Sequence, residues 1–139
     1  MEFMGTQQYQ VHLARQPDGI RTAAAVRDFT MVLGAHRGDA SAGFNAVETL
    51  LSAVGACLTS SLTMVAEMSR VSLSDVDVDV FAVRQDKPPT LTEIRFEMRV
   101  RADVDEEKLR RLLGLAERNS TVVSTLRLAI PVSGQISKI

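Results

Sequence analysis

The chemistry open to this 139-residue chain is bounded by how few reactive side chains it has: one cysteine and two histidines. A single cysteine excludes an intrachain disulfide and a cysteine-rich zinc site. His12 and His36 lie too far apart in sequence to form a helical ligand pair. No glycine-rich phosphate loop and no Gly-x-Ser-x-Gly elbow occurs, and no Ser/His/Asp set can be argued for. Asp75, Asp77 and Asp79 space three carboxylates as a calcium loop does, but without its glycine or its distal bidentate glutamate. The valines between them favour a strand. No metal or organic cofactor is expected. What remains is Cys57, in the middle of a long apolar run, and Glu48, the only charge in the first two-thirds of that run. A free cysteine packs as a small hydrophobe unless an electropositive, partly exposed setting makes it a thiolate nucleophile. Glu48 suits a first helical turn, where the macrodipole favours an acid.

The elements that hold these residues follow from periodicity. Tyr9 to Ala14 and Ile20 to Val26 read as strands around the turn Gln16-Pro17-Asp18-Gly19, and Phe29 to Leu33 reads as a third. Short connections predict an antiparallel meander. Gly34 to Phe44, with three glycines, His36, Arg37 and Asp39, reads as a loop. From Ala46 to Arg70, Val47, Leu50, Leu51, Val54, Leu58, Leu62 and Val65 keep helical spacing, and the remaining face is small. Thr49 to Ala66 carries no charge, which raises a membrane span. Its six hydroxyls, its glycine and the absence of flanking basic residues argue instead for a helix buried on nearly all sides. One domain of this size has difficulty surrounding such a helix alone, so a dimer is expected.

Val76, Val78 and Val80 then alternate with aspartates, and Ile94, Phe96, Met98 and Val100 with glutamates and arginines. That is a half-solvated antiparallel pair joined at Lys87-Pro88-Pro89, with outward aspartates set to face outward arginines. Asp103 to Arg118 reads as an amphipathic helix opened by Asp103 and Glu106 as a capping box and ended by Asn119. A short helix starts at Ser120, and Ile130 to Ile136 reads as a last strand. The order β-β-β-α-β-β-α-α-β predicts an α+β domain, its sheet predominantly antiparallel, around a long buried central helix.

Composition narrows the function class. Sixteen basic and seventeen acidic residues give a net charge of −1, without the basic surplus of a nucleic-acid or membrane-surface binder. Met1 to Gln8 reads as a disordered or tag-like extension before a single domain over 9–139, and no leader pattern opens the chain. A cytoplasmic location is expected, with neither nucleic acid nor membrane as partner.

The segment Asn45-Ala46-Val47-Glu48-Thr49-Leu50-Leu51-Ser52-Ala53-Val54-Gly55-Ala56-Cys57 resembles the helix motif of the OsmC/Ohr family, roughly Asn-Pro-x-Glu-Leu-Leu-x-Ala-x-Gly-Ala-Cys. These are the osmotically inducible and organic hydroperoxide resistance proteins. The likeness runs from about Tyr9 through the Asp-rich strand, the Glu/Arg strand and the stretch ending at Val132. It implies an intertwined homodimer with thiol sites at the interface, reducing organic hydroperoxides with an external thiol reductant. By that resemblance Cys57 takes the peroxidatic position and Glu48 the acidic one. Arg15 is the nearest match for the activating arginine, with Arg21 and Arg37 as rivals.

Two positions depart from the family pattern. Ala46 stands where a proline often lies, and Ser120-Thr121-Val122 stands for a Cys-Pro-Val that would carry the resolving thiol. Serine caps the helix as well, but a sulfenic acid on Cys57 then has no thiol in its own chain. In a continuous helix Glu48 and Cys57 are about 13.5 Å apart along the axis and half a turn out of phase, so one chain cannot bring them together. The expected activity is that of a one-cysteine peroxidase. The alternative is a non-catalytic dimer of the same fold that binds a small hydrophobic ligand or senses oxidation.

Overall fold

The computed structural model describes residues 5–34 and 39–139. The chain falls into two compact units, residues 1–49 and 50–139. The expected N-terminal extension lies partly outside the described residues; Gly5–Gln8 carries no regular structure and is exposed.

The first unit is a meander of β1 (His12–Arg15), β2 (Arg21–Val26) and β3 (Phe29–Gly34), all antiparallel, followed by a 3-10 turn at Ala40–Ala42. The β1–β2 turn forms because Asp18 Oδ1 accepts from the Ile20 and Arg21 amides, while Gly19 takes a φ of +74° that a side chain would resist. β1 starts later than Tyr9 because His12 pairs with Ala25, and Val26 is the last residue before the tight β2–β3 turn. Register divides this sheet into two faces. Leu13, Ala24 and Met31 are aligned across it, as are Arg15, Thr22 and Leu33, and all six point to one side together with Val26 and Phe29. His12, Ala14, Arg21, Ala23, Ala25 and Val32 point to the other. Of the apolar residues described in this unit, only Ala24 and Ala42 are buried.

The second unit holds the core. The central helix α1 (Ala46–Met68) turns Val54, Leu58, Leu62, Val65 and Ala66 inward, onto the sheet formed by β4 (Leu73–Gln85), β5 (Thr90–Ala102) and β6 (Val132–Lys138). Gly55 meets that sheet at Val78 and Val80. Val54, Leu58 and Leu62 are wholly buried, each a gain of about 1.5–3 kcal/mol over exposure. The helix is long and apolar enough to cross a membrane, but its apolar stripe is the core of this unit. In the single chain it is buried on one face only: Ser52, Ala53, Ala56, Ser60, Thr63 and Met64 are exposed. α1 stops two residues before Arg70 because that residue takes a φ of +57°. Arg70 N–H then returns to Glu67 O, and Val71 N–H to Ala66 O. This is a Schellman end with arginine where glycine is usual.

β4 and β5 pair antiparallel in the expected register, and the outward charges meet. Arg99 bonds Asp77 at 2.8 Å and Asp79 at 2.6 Å, and Arg101 bonds Asp75 at 2.9 Å. Asp79 and then Asp77 hold the Arg99 guanidinium protonated beyond its ordinary range. The pairing is predominantly antiparallel, as expected, with one parallel pair, and the expected helix cap is corrected. β6 pairs parallel to β5, from Ile94–Val132 to Val100–Lys138, because the chain crosses over through α2 (Glu106–Arg118) and α3 (Thr121–Leu126) before returning. The α2 cap is Asp105, accepting from Lys108 N–H at 2.9 Å; Asp103 instead accepts from Ser72 N–H.

Candidate active site

Cys57 is a free, partly buried cysteine at mid-length of α1. What faces it is set by how α2 ends. Asn119 closes that helix, its amide and its side-chain Nδ2 both returning to Leu115 O. The chain turns at once into α3, with Ser120 as N-cap in extended conformation. This junction meets α1 at Cys57 and Ser61, one helical turn apart. Ser61 Oγ donates to Asn119 O at 3.4 Å, and Ser120 Oγ donates to Cys57 Sγ at 2.9 Å. Ser120 has no exposed surface. Its Oγ also accepts from Val123 N–H at 3.5 Å. Beyond α3, Arg127 holds the return into β6, giving two N–H groups to Val132 O and one to Glu117 at 2.7 Å.

A serine hydroxyl against a cysteine sulfur allows one kind of chemistry. The sulfur can act as a nucleophile with a neutral donor beside it, and the partner oxygen cannot form a disulfide with it. No group of three metal-binding side chains occurs among the described residues.

The other sequence-predicted residues lie in the first unit. Glu48 forms a capping box with Asn45: Glu48 Oε1 accepts from Asn45 N–H at 2.9 Å, and Asn45 Oδ1 accepts from Glu48 N–H at 2.8 Å. Arg15 lies on the apolar face of the first sheet, in line with Thr22 and Leu33, and its guanidinium reaches Gly19 O at 3.5 Å. Arg21 points to the opposite face and is paired with Asp18 at 3.0 Å. Arg37 lies outside the described residues.

Sequence reading placed Ser120 as a cap and as the site of a missing thiol, and missed it as the neighbour of Cys57. The signal was the resemblance, which puts a sulfur at that position. Ser61 carried no sequence signal, and Asn119 was legible only as the end of α2.

Residues 38–134 match the family model described as OsmC-like protein. The chain belongs to the OsmC-like family. Solved structures share the OsmC-like fold along nearly the whole chain at low identity. An OsmC-like protein from Mycoplasma pneumoniae is 16% identical with a TM-score of 0.87, over 96% of this chain and 98% of that one. An organic hydroperoxide resistance protein OsmC from Legionella pneumophila is 15% identical with a TM-score of 0.72, over 95% and 99%. The organic hydroperoxide resistance protein OhrB of Bacillus subtilis is 16% identical with a TM-score of 0.66, over 93% and 98%. No curated protein sequence matches the chain. The matched stretch contains Glu48, Cys57 and Ser120, while Arg15 and Arg21 lie before it.

Proposed function

We propose that this OsmC-like chain is a one-cysteine thiol peroxidase that reduces organic hydroperoxides through Cys57, as a homodimer in the reducing cytoplasm. The thiolate attacks the terminal peroxide oxygen and the O–O bond breaks. The alkoxide leaves, takes a proton and departs as the alcohol, and the sulfur becomes a sulfenic acid. One external thiol condenses with that acid, releasing water and leaving a mixed disulfide. A second thiol, or the other arm of a dithiol, exchanges with the mixed disulfide and restores Cys57. The observation that carries this reading is the 2.9 Å contact between Cys57 and Ser120. The position at which the resemblance expects a resolving thiol lies against the cysteine and carries oxygen, so reduction falls to an outside thiol.

Support for Arg15 over Arg21 as the activating cation comes from the first sheet. Arg15 shares the apolar face and makes one long bond, whereas Arg21 is on the other face and engaged by Asp18. The homodimer is supported by exposed apolar surface on that same face, where Leu13 is 53% and Phe29 66% exposed. The small-residue face of α1 adds to it.

The deciding experiment offers tert-butyl hydroperoxide and hydrogen peroxide to the parent and to Cys57→Ser, with a dithiol as reductant. Turnover that favours the organic peroxide and vanishes in Cys57→Ser is the expected result. Equal background loss in both proteins overturns the catalytic reading in favour of a ligand-binding or oxidation-sensing dimer.

A further inference from the structure

The hydrogen bond between Ser120 and Cys57 has a definite direction. Val123 N–H can only donate, and it occupies a lone pair of the Ser120 oxygen at 3.5 Å. The hydroxyl has one hydrogen to place, and the side chain is wholly buried. No buried side-chain polar atom is left unpartnered among the described residues, and the acceptor in reach of Ser120 is Cys57 Sγ at 2.9 Å. Were the sulfur to donate its own proton instead, the serine hydrogen would be stranded in the interior, which is costly. Serine therefore donates and sulfur accepts. The bond holds the sulfur against the α2–α3 junction.

We propose that Ser120 is a positioning residue: its hydroxyl holds the Cys57 sulfur in one orientation, ready for attack. This rests on the reading of Cys57 as the reactive thiol and adds a role for the residue that replaces a second cysteine. An alcohol in that place does what a second thiol does poorly. It donates strongly, and peroxide does not consume it.

The test measures Cys57 alkylation by iodoacetamide in the native protein at neutral pH, beside the melting temperature, in the parent, Ser120→Ala, Ser120→Gly and Ser120→Thr. Alanine and glycine both remove the hydroxyl, but glycine is nearly as good an N-cap as serine and alanine is not. The expected result is an alkylation rate about tenfold lower in both, independent of their melting temperatures, and recovery in Ser120→Thr. Parent-like alkylation in Ser120→Ala and Ser120→Gly overturns the proposal. So does a loss in alanine alone that follows its melting temperature. None of these readouts uses a peroxide, so failure of the peroxidase reading in the turnover assay is seen separately.

Discussion

The hydroxyl oxygen of Ser120 and the sulfur of Cys57 lie 2.9 Å apart, although 63 positions separate the two residues in sequence. A disulfide needs about 2.05 Å between sulfurs, and the two side-chain tips already lie near that separation. Ser120→Cys is expected to form an intramolecular disulfide with Cys57 on mild oxidation. Mass spectrometry would read it as the loss of two hydrogens. Closing so long a loop should stabilise the oxidised variant by about 4 kcal/mol. A variant that only cross-links between chains would refute the geometry.

Arg15 and Arg21 are separated by the parity of their strands. Arg15→Met is expected to lower peroxide turnover about a hundredfold or more, the scale of losing a charged group from a transition state. Arg21→Met should leave turnover within about twofold, because its partner is Asp18. Steady-state kinetics on both variants decides between them.

Leu13 and Phe29 are exposed on the apolar face of the first sheet. The parent is expected to run as a dimer in light scattering. Leu13→Asp, which places a carboxylate on that face, should raise the dissociation constant about a hundredfold or more. A monomeric parent would remove the dimer from the proposal.

Two backbone positions carry opposite signs. Arg70 takes a left-handed conformation at the end of α1, so Arg70→Gly should add about 0.5–1 kcal/mol, or about 3 °C of melting temperature. Gly134 lies against Phe96, and a Cβ there would overlap the ring. Gly134→Ala should cost about 1–3 kcal/mol. Thermal melts of both variants test the pair.

Asp18 gives a pH signature. The Ile20 amide, with help from the Arg21 side chain and amide, holds its carboxyl below the ordinary value of 3.8. A carboxylate depressed in the folded state stabilises at pH above its unfolded value, and the benefit fades as pH falls through the folded one. The melting-temperature gap between the parent and Asp18→Asn should therefore be present at neutral pH and vanish in acid. A gap that does not change with pH would show that the charge is immaterial.

Much of the fold was legible in local pattern. The alternation through Val76–Val80 and Ile94–Val100 gave β4 and β5 and the meeting of their aspartates and arginines, because a period of two leaves one face to water. The helical spacing from Val47 to Val65 gave α1. The direction of β6 left no local trace, since Val132–Lys138 would read the same in either orientation and the crossover decides it. Asp103 and Asp105 are both plausible caps by residue type, and a tertiary bond to Ser72 separates them. In the site, Cys57 was legible as a type in a motif. The donor role of Ser120 was not, because it depends on where the α2–α3 junction lands.

That junction is also the crossover that returns the chain to lie parallel to β5. A change in the length of that connection would therefore shift the strand and the hydroxyl together.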